Sequence, residues 1–475
     1  AARRLLASGS DAQASAEALW ILAEAQARGG KPASARATFQ RLVRLHPDAT
    51  IPGPEGPVRA ADAAARRLQD ADLSVRTEPP TPLPAGGGWK TLWHREGEGA
   101  PEPVVPDGDP VPGGRLLLLT GSRLDAVDAR TGIPAWTAED AAFRGIAVSA
   151  GGFLVFARES DAVGVEPSTG EIVWRTELPG ATAAGVAADA LAVLLCSGGP
   201  GTDESWTFAL DPGTGEPAWP KTEWLPGTGT RLWTRSDGIA VLSPPILRTL
   251  HAADGSSRVS LNLRSRSLPP GEAIAAPDGP LVVRRETGIE AYDPENGEPL
   301  WHRDADRKSR SVAAAAGGGF VVVLDGAGSL AGLDAATGSE RWRTDAGKGR
   351  GFDPSATAIA MDARAVYGVS SELPDRGGGR VEARDLRTGA LLWTAPISRE
   401  PVLVEVRARG GAVLVKYLSA GARAGLSGVV LLDAATGRTL DEFADPRLGG
   451  ESFDAFVASG VLAITAPRFC AVRGK

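Results

Sequence analysis

Few residues in this chain could ligate a metal or attack a substrate. Among 475 residues there are four histidines, His46, His94, His251 and His302, and two cysteines, Cys196 and Cys470. None has the short spacing of a closed zinc site, and no Ser-His-Asp or Cys-His set stands out from the background of a long chain. The cysteines lie far apart in sequence and say little about redox compartment. His94 and His302 share a slot beside a tryptophan and read as surface strand residues. Asp107-Gly108-Asp109 lacks the further oxygens of a calcium loop and reads as a turn. Gly347-Lys348-Gly349-Arg350-Gly351 has the glycines of a phosphate cradle, but no Gly-Lys-Ser/Thr follows, so it reads as a loop.

What recurs is a different chemistry, that of a turn. An acidic residue is followed by Thr-Gly at three and four positions and by Trp at eight. The pattern stands at Asp128/Thr131/Gly132/Trp136, Glu166/Thr169/Gly170/Trp174 and Asp211/Thr214/Gly215/Trp219. It returns at Asp293/Asn296/Gly297/Trp301, Asp334/Thr337/Gly338/Trp342 and Asp385/Thr388/Gly389/Trp393. Two copies are degenerate: His251/Asp254/Gly255/Val259 and Asp433/Thr436/Gly437/Asp441. Successive starts lie 38 to 51 residues apart, the length of a propeller blade. Glycine supplies the positive φ that closes a hairpin, and Asp accepts hydrogen bonds from the turn's own amides. Two apolar runs precede each turn, such as 320-FVVVL and 330-LAGLD, and the Trp-bearing segment follows. Each unit therefore predicts a four-stranded blade.

Composition agrees with many short strands. There are 60 glycines, 36 prolines and 12 tryptophans against 3 tyrosines, which assigns Trp a repeated structural slot. Net charge is −7 with no stripe of Lys or Arg, which disfavours nucleic acid. Apolar runs are strand-sized and too short to span a membrane. There is no signal peptide and no initiating Met, so the chain is expected to be part of a larger chain or complex.

Residues 1–76 differ. Ala16, Leu19, Leu22 and Ala23 mark one helical face, and Ala35, Phe39 and Leu42 a second, broken by Gly29-Gly30-Lys31-Pro32. With Pro47 these positions resemble a tetratricopeptide repeat, and a third helix is expected around 58–70. A lone repeat cannot bury its own faces, so it should pack on the propeller or on further repeats. Residues 77–88, TEPPTPLPAGGG, read as a Pro/Gly-rich linker, and 89–475 as the propeller.

The Asp-x-x-Thr-Gly-x-x-x-Trp signature is similar to that of the pyrroloquinoline-quinone-like propeller family. The resemblance implies a mainly β fold in which Trp136, Trp174, Trp219, Trp301, Trp342 and Trp393 dock between neighbouring blades. The turn residues are then Asp128, Gly132, Gly170, Asp211, Gly215, Asp293, Gly297, Asp334, Gly338, Asp385, Gly389, Asp433 and Gly437. Trp93 sits in a similar strand with no turn before it, and the C-terminal strands have no Trp after them. The two halves should complete one blade and close the ring. Eight turns and the shared blade make nine units, but eight blades are expected, on the reading that a degenerate unit such as the one around His251 is not a separate blade, with nine as the alternative.

Quinoprotein dehydrogenases resemble this family and use an adjacent cysteine pair, a bound calcium and a catalytic aspartate. Cys196 and Cys470 cannot form such a pair, and no matching acidic constellation is visible. The expectation is a non-enzymatic chain with no cofactor and no metal. Trp206, Trp224 and Trp233 lie outside the docking slots, beside the unit whose slot holds Val259. They either fill the space a missing indole leaves or form an exposed patch for a partner peptide.

The resemblance extends to the BamB-like members of the family, in the outer-membrane β-barrel assembly machinery, although this chain shows no lipobox and adds helices. It implies a scaffold that binds other proteins or peptides in the periplasm or cell envelope. The alternatives are a sensor or ligand-binding domain of a larger receptor or protein kinase, and a quinone-dependent oxidoreductase.

Overall fold

A computed structural model describes residues 12–53, 56–70, 73 and 89–474, except for the segments 97–101, 105–106, 109–110, 112–114, 189–190, 198–203, 220–222, 227–230, 236–237, 244–245, 264–272, 276–278, 286–287, 305–310, 326–327, 345–349, 353–358, 373–378, 398–400, 410, 420–426, 446–447, 449–452, 459 and 467–468. The expected linker at 77–88 lies outside these residues.

The N-terminal part is a helical pair with an unexpected insertion. Helices α1 (Ala12–Arg28) and α2 (Pro32–Leu45) pack through Ala16, Leu19, Ala23, Ala35, Phe39 and Leu42, all buried. Leu22 is only half-buried. Gly30, at φ +70°, ends the first helix, and Pro32 opens the second without a lost amide bond. Before the third helix the chain forms a hairpin, β1 (Thr50–Gly53) with β2 (Gly56–Arg59), which the helical periodicity did not show. That shortens helix α3 to Ala60–Arg67, whose Ala60, Ala63 and Ala64 complete the same core.

Among the described residues from 90 onward, the strands form nine sheets, antiparallel except for one two-residue pairing. Blade one comprises Glu102–Val104, Arg115–Thr120, Arg123–Asp128 and Pro134–Glu139. Blades two to eight open in chain order with Ile146–Ala150, Ala181–Ala188, Arg231–Arg235, Ala273–Ala275, Ser311–Gly317, Arg350–Phe352 and Pro401–Arg409. Blade nine takes Asp454–Ala458, Val461–Ala466 and Phe469–Gly474 from the C-terminal end. Its fourth strand is Lys90–Glu96, paired antiparallel with Phe469–Gly474.

The count is nine rather than eight because the degenerate unit around His251 is a complete blade. Its four strands are Arg231–Arg235, Gly238–Ser243, Ile246–Leu250 and Ser257–Asn262. Two short additions extend other sheets. Asp107–Gly108, read from sequence as a turn, instead pairs in parallel with Val148–Ser149 of blade two. Ala360–Met361 pairs within blade seven. Residues 347–349 of the glycine-rich segment lie outside the described residues, and Arg350-Gly351 begins the first strand of blade seven.

The core is divided like the blades. Nine apolar clusters lie in the propeller, one in each seam between neighbours. The cluster that joins blade nine to blade one, with Leu116, Leu118, Val461 and Val472, makes the ring continuous. Closure leaves no blade with an unpaired flank of buried apolar side chains.

Candidate interaction surface

The turns are best understood from one of them. In blade six, Asp334 Oδ1 accepts hydrogen bonds from the amides of Ala336 (3.1 Å) and Thr337 (3.0 Å) and from the Thr337 hydroxyl (3.0 Å). Gly338 follows at φ +68°, where a side chain would be strained. A Cβ there would also lie 2.5 Å from the Trp301 ring, because the indole of blade five rests on this glycine. The same hydrogen bonding holds the Asp385 carboxyl of blade seven below its ordinary value, chiefly through the Thr388 hydroxyl.

The residue after the acid serves two blades at once. The Ala335 amide donates to Gly319 of its own blade (2.9 Å), while its carbonyl accepts from Trp301 Nε1 of the previous one (2.8 Å). Leu386 and Ala434 repeat this, bonding Arg364 and Gly411 within their blades and accepting from Trp342 and Trp393. Trp93, Trp136, Trp174 and Trp219 donate likewise to Ala129, Pro167, Pro212 and Ala252, and the seven latches span 2.7 to 3.2 Å. The indole needs room in its own sheet as well. Opposite Trp136, Trp174, Trp301, Trp342 and Trp393 stand Ala126, Gly164, Ala291, Gly332 and Ala383. A Cβ on Gly164 or Gly332 would meet the ring at 2.1 Å.

Two seams lack this latch, and each is rebuilt. Between blades four and five, Val259 and Leu261 cover Gly297, and Thr249 stands where the small residue would be. The Thr249 hydroxyl donates to the Pro294 carbonyl (3.0 Å), the acceptor an indole would have used. Between blades eight and nine the slot holds Asp441, opposite Leu431. Its buried carboxylate takes two hydrogen bonds from Arg473, one of them at 2.7 Å. Both seams still contain a tryptophan brought from elsewhere: Trp233 packs in the first and Trp89 in the second. Among the described residues, each of the nine apolar clusters therefore includes one indole.

The candidate patch divides accordingly. Trp233 is half-buried on the side of blade four that faces blade five. Trp206 is half-buried in blade three, paired across the strands with Cys196 and in register with Trp224.

Antiparallel alternation puts the turn between third and fourth strands on the same end of the ring as the turn between first and second. The helical segment sits on this turn face, over blades two and three. Glu166 is fully buried there, and its Oε2 accepts from the amide (2.9 Å) and hydroxyl (2.6 Å) of Ser34 in the first turn of α2. A carboxylate so placed satisfies an open amide and lies at the positive end of the helix. Ser168 donates to the Gly30 carbonyl (2.9 Å), and Lys31 pairs with Glu171. Arg41 and Arg44 approach Glu216 (3.6 Å) and Asp211 (3.7 Å) of blade three. Sequence reasoning missed these partners, although Glu in place of Asp at 166 was visible.

The chemically reactive residues do not converge. Cys196 lies in the seam of blades two and three and Cys470 in that of blades nine and one, both buried. Burial pushes each thiol up to about 12. Each therefore adds stability below its ordinary value of 9.0, and that contribution fades as pH rises from there towards about 12. Neither should react with a thiol reagent at pH 8 until the protein is unfolded, when both should titrate. Rapid labelling of the folded chain would contradict the seam packing. Among the described residues no group of three His, Cys, Asp or Glu side chains could hold a metal ion.

These features define a class: a closed β-propeller of repeated blades latched indole to turn, with a helical repeat mounted on its turn face. A family model described as outer membrane protein assembly factor BamB matches residues 120–285 and 226–450, and the chain belongs to that family. A tetratricopeptide repeat model matches residues 17–49. No curated protein sequence matches the chain. Among solved structures it is similar to BamB from Moraxella catarrhalis, at 16% identity and a TM-score of 0.44, over 68% of this chain and 94% of that one. It is also similar to the computationally designed Ika8 protein, at 15% identity and a TM-score of 0.48, over 68% and 93%. A quinohemoprotein alcohol dehydrogenase from Pseudomonas putida HK5 aligns at 13% identity and a TM-score of 0.45, over 82% and 76%. No described helix is long and apolar enough to cross a membrane.

Proposed function

We propose that this chain is a non-catalytic protein-binding scaffold of the cell envelope that works in outer-membrane protein assembly. The observation that carries the reading is the buried Glu166–Ser34 contact, which mounts a helical repeat across the turns of two blades. Two kinds of interaction module thereby present one continuous surface. Membership of the BamB family supplies the assembly context. The turn carboxylates support the non-enzymatic part, since they are engaged in capping their own turns and, at Glu166, in holding the helical segment. So do the cysteines, which are sealed in separate seams.

The test is a chromosomal deletion in the source organism, complemented from a plasmid. The expected result is a fall in folded outer-membrane β-barrel proteins that the wild-type gene restores. Purified protein mixed with pyrroloquinoline quinone and calcium should reduce no dye in the presence of alcohols. Turnover in that assay, or unchanged outer-membrane proteins in the deletion, would overturn the reading.

A further inference from the structure

The two turns beneath α2 differ from the others in ways their own blades do not require. Glu166 replaces the usual Asp, and its extra methylene lets Oε2 reach the Ser34 amide while Oε1 still accepts from the Ser168 hydroxyl of its own turn. Gly213 occupies a position held elsewhere by Arg130, Glu295, Ala336 or Arg387, and a Cβ on it would lie 2.6 Å from the Ala37 Cβ. Both turns carry a second acid five residues after the first, Glu171 and Glu216, as the turn of blade five does with Glu298, and here each faces a cation of the helical segment, Lys31 or Arg41. Together these residues form a seat shaped for one end and one face of a helix.

The contacts that fill the seat are mostly polar. Beyond Ala37 against Gly213, they are the Ser34 and Ser168 hydrogen bonds and three ion pairs, all with partly exposed members. Exposed ion pairs hold weakly and are screened by salt. Small polar interfaces between domains of one chain behave like transient protein–protein interfaces. Release of the helix against its buried Glu166–Ser34 bonds would leave a receptor with defined chemistry.

We propose that the turns of blades two and three are a helix-capture site, filled in cis by α2, for which a basic helix of a partner protein competes. This rests on the scaffold reading and names its ligand. That ligand is a helix N-terminus with Ser or Thr in its first turn for Glu166. A small residue three positions on meets Gly213. Lys or Arg at three before and at seven and ten after meet Glu171, Glu216 and Asp211. These last positions share one helical face, as Ala37, Arg41 and Arg44 do in α2.

The probe is a fluorescent synthetic peptide of residues 30–46, titrated into the full chain and followed by anisotropy. Wild type should bind it weakly, because apparent affinity falls with the fraction of seats left open. The variant Lys31→Glu/Arg41→Glu/Arg44→Glu, whose own helix now opposes the acids, should bind at least about tenfold more tightly. Adding Glu166→Ala or Gly213→Val to that variant should abolish the gain, as should raising salt from roughly 0.05 to 0.5 M. The proposal is overturned if the folded charge-reversed variant binds no better than wild type, or if binding survives Gly213→Val. A concentration-dependent dimer of the unmodified protein, lost with Glu166→Ala, would give the seat to a second copy and overturn the partner reading. Peptide capture with no change in outer-membrane proteins on deletion would sink the scaffold reading alone, and the converse would sink only the seat.

Discussion

Replacing Trp342 with alanine should lower the unfolding free energy by about 3–5 kcal/mol, the range for deleting a large buried aromatic side chain. The indole fills the seam between blades six and seven with 7% of its surface exposed. It packs over Gly389, which has no Cβ to meet it, and beside Gly332. Its N–H satisfies the Leu386 carbonyl at 2.8 Å. Truncation leaves a cavity lined by two glycines that cannot fill it. Trp342→Phe should recover most of the packing and still lose about 1 kcal/mol for the missing hydrogen bond. Hydrogen exchange should quicken first in blades six and seven, since each blade touches only its neighbours. A loss below about 1 kcal/mol for the alanine variant would show that the seam collapses freely.

Arg473→Ala should be nearly as damaging, by about 3 kcal/mol, for a different reason. Arg473 and Asp441 are 13% and 6% exposed, and the guanidinium also stacks 5.0 Å above the Phe443 ring. Removing the arginine strands a carboxylate inside the seam of blades eight and nine. The same cation reaches the Trp89 carbonyl and the Thr91 hydroxyl, so the loss also loosens the strand that closes the ring. The double variant Asp441→Leu/Arg473→Leu should be close to wild type in stability, because an apolar pair of similar volume needs no charge compensation. Equal losses in the single and double variants, read by denaturant unfolding, would refute the buried-charge account.

Much of the ring could be read from the chain because its repeat obeys local rules. The acid, the glycine and the indole each answer a requirement of one turn, and so each recurs at fixed spacing. The repeat was in fact longer than first apparent. Ala126, Gly164, Ala291, Gly332 and Ala383 each stand two residues before the acid, and the position changes to Thr249 and Leu431 where the indole is absent. That joint change marks a missing latch and shows that the His251 unit is a blade repaired by other means. The eight-blade expectation failed there, because a backbone acceptor satisfied by a threonine leaves no aromatic signature. The helical mount was hidden for another reason. Glu166 and Ser34 are 132 residues apart, and a single methylene distinguishes that turn from its neighbours. Trp89 was equally hard to place, since its seam is one that local spacing does not describe, whereas Trp233 packs in the space left by the missing indole, one of the two readings the sequence offered.

Arg473 and Thr91, on the paired strands that seal blade nine, are 382 residues apart. A ribosome adding about 5–20 residues per second needs roughly 20–80 seconds to travel between them. Throughout that interval the earliest propeller segment to emerge has no mate, and everything made after it can stack only as an open arc. A nascent arc offers sticky flanks at both extremities, so dependence on a holding chaperone should end abruptly when the final strand appears.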